Sequence, residues 1–468
     1  PMTYQTGGGR DYNMPCDLYY ADLDGTWIPG GDTIWGELAD SVDLAPDVAV
    51  GRASVEDIAE AWDFVDKTIA YEQASVSDHL ERGLFIAQIM MEDPYTPGAV
   101  SKDYIDDEYM PGGWEVTKLY ESEGTYGSAE TVDALNLGTG CLNVSAHGWT
   151  NCAGCLGNDE VEQVSSGGRY AGLAYATSCW SGAFDFDCVA ENYVNHPDGC
   201  GVGFIANSSY GWGSPGNPLY GYSDRLDQSV YHHLFADSSL SMGEVLVQAK
   251  TEYIPFAQQE NCYRCLLYMA NLFGDPSLVP YRGAPMDPVV SLPGLVTPQT
   301  TVVPVSVELP EGSPAGAHVC ISSPDLSIYE VRELDGSGMS IVDLPQAPED
   351  DITVTVTGPG LRRSSTVIPF GSGNSLVVSG VEVTTPGGYW VPAPGCSTSV
   401  SVTLSNQGSS TLTSVGLSAQ LLAGPGDILE GEASYGDLSP GETGQGDSDL
   451  ELLVDQSAGN GQLLQLEL

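Results

Sequence analysis

Between about Tyr12 and Tyr281, short continuous apolar runs alternate with stretches of helical period, whereas beyond Pro285 only strand-like alternation and turn residues remain. In EDIAEAWDFVDKTIAYEQ, Glu56 to Gln73, the residues Ile58, Ala61, Trp62, Val65 and Ile69 return every three or four positions to one face, which predicts an amphipathic helix. GLFIAQIMM (Gly83 to Met91), CLNVSAHG (Cys141 to Gly148), RYAGLAYATSC (Arg169 to Cys179) and GVGFIANSS (Gly201 to Ser209) read as buried strands. Such runs alternating with helices predict an α/β unit built on a parallel sheet covered on both faces.

A Pro-rich joint, YRGAPMDPVVSLPG, spans Tyr281 to Gly294. After it TTVVPVSVEL, GAHVCISS, SIYEVREL, SIVDL and ITVTVTG follow one another between Gly, Pro and Asp, the spacing of an all-β sandwich of about 85 residues. GSGNS (Gly371 to Ser375) is a second joint, and VSGVEVTT, STSVSVTLSNQG, LTSVGLSAQLL and LLQLEL predict another sandwich that reaches Leu468 without an evident closing strand. The expected organisation is an α/β domain over 1–282, an immunoglobulin-like sandwich over 283–371 and a second, truncated sandwich over 372–468.

Composition narrows the function. Of 468 residues only 14 are Lys or Arg against 64 Asp or Glu, giving a formal charge of −50. Nucleic-acid binding needs bases to displace counterions from phosphates, so neither it nor attraction to anionic membranes fits this chain. No apolar run reaches 18 residues, so no membrane span is expected. Eleven cysteines with few lysines favour an extracytoplasmic setting over a salt-adapted cytosol, and a polar, Gly-rich start at Pro1 suits a processed product.

Two strand ends carry candidate chemistry. His147, followed by Gly148, ends one buried strand, and Cys179 ends the next. In parallel α/β sheets the carboxyl ends of strands form the ligand crevice, so both side chains emerge on one rim. There a thiolate attacks a carbonyl, the imidazole passes the proton to the leaving amine, and nearby backbone N–H groups hold the oxyanion. Taken alone, either residue also fits a structural role.

Collinear segments add context: CDLYYADLDGTW (Cys16 to Trp27), DLAPDVAVGRASVEDI (Asp43 to Ile58), KTIAYEQ (Lys67 to Gln73), LNLGTGCLNVSAHGW (Leu135 to Trp149), YAGLAYATSCWSGAFD (Tyr170 to Asp185), CVAENYV (Cys188 to Val194), GVGFIANSSYGWGSP (Gly201 to Pro215) and NLFGDPSL (Asn271 to Leu278). In that order they resemble the gingipain family of cysteine peptidases, members of the caspase-like clan. The resemblance implies a caspase-like three-layer α/β catalytic domain in a secreted or cell-surface bacterial endopeptidase acting on proteins or peptides. Cys179 would be the nucleophile, His147 the general acid/base, the Gly148 and Cys179 amides the oxyanion donors, and Trp212 a wall of the primary specificity pocket. The family pattern also implies that a buried first strand precedes the segment at Pro1.

Departures from the pattern matter equally. Family members that cleave after Arg or Lys place an acid on the segment after the GLFIAQIMM-type strand, but PYTPGAVSKD (Pro94 to Asp103) offers none in place, with Asp93 and Asp103 merely near. A preference for Arg or Lys is therefore only weakly favoured. A helper carboxylate for the histidine could correspond to Glu92.

Metal ligands are the remaining candidates. Asp22, Asp24, Asp32, Asp40, Asp43 and Asp47, with Gly25, Gly30 and Gly31 between, form a loop rich in the hard oxygens calcium takes. The resemblance implies calcium at Asp24 and Asp47 and a second site at Glu191; a solvated acidic loop without metal is the alternative. Cys152 with Cys155 and Cys262 with Cys265 could assemble a four-thiolate zinc site, although disulfides are favoured for these thiols. The rival to a peptidase is a catalytically inactive surface or adhesion protein that binds through its β modules, and a zinc-dependent binding module or a transferase sharing the acyl-enzyme chemistry stands behind it.

Overall fold

The computed structural model describes residues 2–7, 10–28, 35–36, 40–386, 392–459 and 462–468. Gly30, Gly31 and Asp32 of the acidic loop lie outside the described residues. The chain divides into two compact units, Pro1–Pro285 and Met286–Leu468.

The first unit is built on a six-stranded sheet of β1 (Arg82–Ala87), β2 (Glu115–Tyr120), β3 (Cys141–Ser145), β4 (Leu173–Ala176), β5 (Gly203–Asn207) and β6 (Ala270–Gly274), in the order β6-β5-β4-β3-β1-β2. Alternate side chains feed two separate cores, as a doubly covered sheet requires. Phe85, Tyr175 and Ile205 enter one; Leu84, Leu142, Val144, Ala174 and Phe204 enter the other. The helices are α1 (Ile58–Gln73), α2 (Ala99–Tyr109), α3 (Ser128–Leu137), α4 (Val189–Asn195), α5 (Tyr222–Ala236), α6 (Met242–Thr251) and α7 (Asn261–Met269). The architecture is thus three-layered, α/β/α.

Two features add to the expected parallel sheet. β6 runs antiparallel to β5, and the edge strand β2 escaped the hydrophobic pattern. An edge strand is covered less completely, so β2 buries only Leu119 and Tyr120 and keeps Glu115 exposed, which leaves no continuous apolar run to read. The run at Gly83 to Met91 also breaks: β1 ends at Ala87, and Ile89–Glu92 pairs antiparallel with Tyr95–Pro97 in a hairpin.

The apolar face of α1 points the other way from the usual arrangement. Ile58 is 78 % and Trp62 63 % exposed, while the helix buries Lys67 and Tyr71. The Lys67 ammonium donates to the carbonyls of Tyr193, Val194 and His196 at 3.0, 3.0 and 2.8 Å, capping the carbonyl end of α4, where a positive charge also meets the negative end of the helix dipole. Tyr71 accepts the Tyr281 N–H at 2.8 Å. Burying α1 on polar anchors overrides its amphipathic pattern. Lys67→Met, which keeps the stem and strands three carbonyls, is expected to cost about 2–3 kcal/mol of unfolding free energy in a urea titration. An unchanged midpoint would show that the cap is dispensable.

The second unit is all β. Sheets of Val289–Ser291, Val302–Glu308 and Met339–Asp343, and of Tyr329–Glu333, His318–Ser322, Ile352–Thr357 and Ser364–Ile368, close on a core containing Val303, Val305, Val319, Ile321, Val354 and Val356. A second cluster holds Val400, Val402, Leu404, Val415 and Leu417, from the long strand Ser397–Asn406 and the paired strand Leu412–Ser418. Among the described residues no helix is long and apolar enough to cross a membrane.

Candidate active site

β3 and β4 are parallel neighbours in which Val144 faces Ala176. His147 and Cys179 each lie three residues further on, so the 32-residue interval between them is the register offset of the two strands. Side-chain and backbone bonds tie the strand ends together. Ser178 Oγ donates to the Ala146 carbonyl at 2.8 Å, and Asn207 Nδ2 on β5 donates to the Thr177 carbonyl at 3.0 Å. Gly148 lies so close to this turn that a Cβ there would stand 2.7 Å from Ser178 Cβ and 2.9 Å from the Cys179 carbonyl. That contact explains the His-Gly pair: any side chain at Gly148 would push the two strand ends apart.

The His147 ring is oriented by backbone. Nε2 lies 3.0 Å from the Met90 carbonyl, which can only accept, so Nε2 carries the proton and Nδ1 keeps its lone pair. Gln88 Oε1 accepts the His147 N–H at 3.1 Å. Glu92, left open as a helper for the histidine, is exposed in the hairpin, and the Met90 carbonyl takes the ring instead.

Cys179 receives the Gly211 N–H at 3.3 Å. Burial pushes its thiol above the ordinary range, with the Gly211 N–H pulling partly back. At neutral pH the resting group is therefore a thiol that needs a base, not a preformed thiolate. Trp180 follows in left-handed backbone, φ 61°, and donates its N–H to the Ser209 carbonyl at 2.8 Å.

His147 and Cys179 line one pocket of about 170 Å³, with Met90, Thr96, Gly98, Trp212 and Asp224 among its walls. Trp212, which the resemblance implies as a pocket wall, is among the residues lining this pocket. The segment from Pro94 to Asp103 brings in a fully buried base, Lys102 on α2, while Asp103 pairs with Lys118 at 2.8 Å. Lys102 donates to Asn143 Oδ1 at 2.6 Å and to the Asp227 carboxylate, and Asn143 Nδ2 donates to Asp227 at 2.8 Å. Asp224 lines the pocket one turn before Asp227, and burial pushes its carboxyl up to about 7, with nearby Lys102 opposing and Asp227 adding to the rise. Pattern reading missed Asp224, Asp227 and Lys102; the trace they left is the acid pair three apart in YSDRLD, just after the pocket tryptophan.

Asp22, Asp24 and Asp47 bring carboxylate oxygens within 4.8 Å of one another. Asp22 is held by N–H groups of Gly25 (2.6 Å), Trp27 Nε1 (2.9 Å) and Asp43 (3.1 Å), and Asp47 accepts from Leu23 at 2.7 Å. Glu191 belongs to another group, beside Ser54, Asp187 and Glu56, and burial lifts its carboxyl to about 7. Cys152, Cys155 and Cys262 carry free thiols, so the disulfides expected for them do not form in this structure. Nor do Cys152, Cys155, Cys262 and Cys265 assemble into a zinc site among the described residues. Cys155 sits 3.2 Å from Thr131 Oγ1 under a hairpin turn, while Cys262 opens α7 beside Tyr222 and Glu260.

Known proteins carry the same framework. Lys-gingipain of Porphyromonas gingivalis is 22 % identical over 366 residues, covering 72 % of this chain and 19 % of the relative, so the chain spans about a fifth of the length of that protein. The crystal structure of the Arg-specific cysteine proteinase gingipain R superposes with a TM-score of 0.59 at 19 % identity, over 79 % of this chain and 81 % of the other. A complex of the pro- and mature domains of the Porphyromonas gingivalis protease matches equally, at 0.59 over 78 % and 82 %. These likenesses identify the α/β unit as caspase-like in fold. The model of peptidase family C25 matches residues 2–281, a span that takes in both strand ends, the pocket and every strand of the sheet, and the chain therefore belongs to peptidase family C25.

Proposed function

We propose that the chain is a cysteine endopeptidase that cleaves after a basic residue. The observation that carries the reading is the strand register that sets His147 and Cys179 level on one rim, opening on a pocket with Asp224 in its wall. In the reaction, Cys179 passes its thiol proton to His147 Nδ1 as the sulfur attacks the scissile carbonyl. The oxyanion is held by the Gly148 and Cys179 N–H groups. His147 then gives the proton to the leaving amine, and water, deprotonated by the same ring, releases the acid and restores the thiol. The Met90 carbonyl keeps the ring in the tautomer this needs.

Asp224 supports a basic partner by charge. Lys102, the cation nearest to it, is already hydrogen-bonded to Asp227 and Asn143, so one carboxylate of the group lacks a counter-charge that a Lys or Arg side chain would bring. Because the Asp224 carboxyl is raised to about 7 by burial, it is neutral below that pH and ionised above it. The ratio of kcat/KM for a basic over a neutral substrate should therefore rise between pH 6 and 8, because the catalytic groups are common to both substrates and cancel in the ratio. Asp224→Asn is expected to lower that ratio about 100-fold and flatten its pH profile. A ratio unmoved by the substitution would remove Asp224 from specificity.

Calcium at Asp22, Asp24 and Asp47 belongs to the same proposal: three converging carboxylates, two of them pre-positioned by N–H donors, suit a hard cation. Glu191 is its counterpart at a second site. Secretion or display at a bacterial surface, and protein or peptide substrates, complete the reading.

A further inference from the structure

Outside the pocket, the rim of the site carries three aromatic side chains in contact. Trp149 follows Gly148, Trp180 follows Cys179 and Tyr210 precedes Gly211, so each is one peptide away from a group at the reacting centre. The Trp149 and Trp180 rings lie 5.5 Å apart, tilted by 33°, and Trp180 meets Tyr210 edge-on at 5.4 Å. These are favourable aromatic spacings, yet the run stays open, with Trp149 57 % and Tyr210 37 % exposed. None of the three lines the pocket that holds Trp212 and Asp224.

The backbone sets the run in place at a cost. Trp180 occupies left-handed φ, where a bulky residue is rarely found, and its Ser209 hydrogen bond holds it there. A peptide whose one side chain fills the pocket while its carbonyl reaches Cys179 has its adjoining residue at this rim. Large rings kept in water beside the nucleophile are then a surface with a specific occupant, continuous with the site.

We propose that Trp149, Trp180 and Tyr210 form a second substrate subsite that takes an apolar or aromatic side chain from the residue adjoining the pocket-bound one. The inference rests on the peptidase reading above. It is tested with peptides that share one pocket residue and carry Gly, Leu, Phe or Asp on either side of it. For the wild-type chain, Leu or Phe at one flanking position should raise kcat/KM. Trp149→Ala, at a well-exposed position, should lower kcat/KM for those peptides about 10- to 30-fold, chiefly through KM, and at least about fivefold less for the Gly peptides. Trp149→Phe should restore most of the difference. Equal losses on all peptides, or none, would overturn the subsite while leaving the peptidase intact.

Calorimetry on the Cys179→Ala chain separates the two readings. Tighter binding of Leu- or Phe-flanked peptides, abolished by adding Trp149→Ala, upholds the subsite even if the wild-type chain proves unable to cleave. Binding that ignores the flanking residue, the absence of peptide binding, or capture of a glycan in place of peptides would overturn it.

Discussion

Cys179→Ala is expected to abolish peptide cleavage, with a loss of about 10⁴-fold or more in kcat, because Cys179 carries the one thiol among the described residues that line the pocket. Fold should survive. The thiol fills part of the pocket edge and receives one N–H from Gly211, so truncation costs little packing. His147→Ala should lose activity to a similar degree for a distinct reason: burial keeps the Cys179 thiol protonated, and without the imidazole nothing removes that proton at neutral pH. The two losses should not add, since each disables the same step. The measurement is cleavage of a mixed peptide library, with calcium and under reducing conditions, by wild-type chain and both variants, each checked for native circular dichroism. Cleavage persisting in a folded Cys179→Ala chain would sink the thiol mechanism. Cleavage by none of the three, from folded protein, would turn the assignment towards the non-catalytic surface protein.

Lys102→Met is expected to destabilise the first unit by about 3–5 kcal/mol, the cost of leaving a buried carboxylate without its cation. Lys102 and Asp227 are both fully buried, and Asn143 of β3 bridges them, so the cluster pins α2 and α5 to the strand that carries His147. The pH dependence has a definite sign. Burial raises the Asp227 carboxyl, and Lys102 and Asn143 are the groups that oppose the rise. Without Lys102 the folded-state value climbs further above the unfolded value of roughly 3.9, so the folded variant favours the protonated acid. Its deficit against wild type should then grow as pH rises above the already raised value of Asp227 in the folded wild-type chain, and shrink in acid. Urea titrations of wild type and variant at pH 5 and pH 8 measure this directly. Lys102→Met combined with Asp227→Leu should recover most of the loss, as replacing both partners of a buried pair usually does. A single variant as stable as wild type at pH 8 would show that the pair is structurally idle.

The buried cluster also bears on specificity. Lys102 stands on the segment where the sequence reading looks for a pocket acid, and its charge is spent on Asp227. Asp224, one helical turn from Asp227, is left to face the pocket.

What the sequence determined by itself is whatever depends on local pattern and on residues near in the chain. Apolar runs at Cys141 to Gly148 and Arg169 to Cys179 mark strands buried on both faces, and in a parallel sheet such strands deliver their last side chains to one rim, so His147 and Cys179 were readable as neighbours, whereas Trp212 came only from the family resemblance. The split between an α/β region and an all-β region is a change of period and was equally plain. Tertiary structure decided what depends on partners far apart in the chain. The exposed apolar face of α1 follows from Lys67 reaching carbonyls more than a hundred residues away, a bond no window of sequence contains. The edge strand β2 lacks the two-sided burial that makes a strand legible, and the antiparallel direction of β6 is set by its partner β5 rather than by its own apolar run. The ring partner of His147 is a backbone carbonyl, which every residue possesses and no side-chain pattern reveals. Asp224 became a pocket residue only when α5 packed beside α2, because desolvation and the competing charge of Lys102 are properties of the assembled interior, not of the letters YSDRLD.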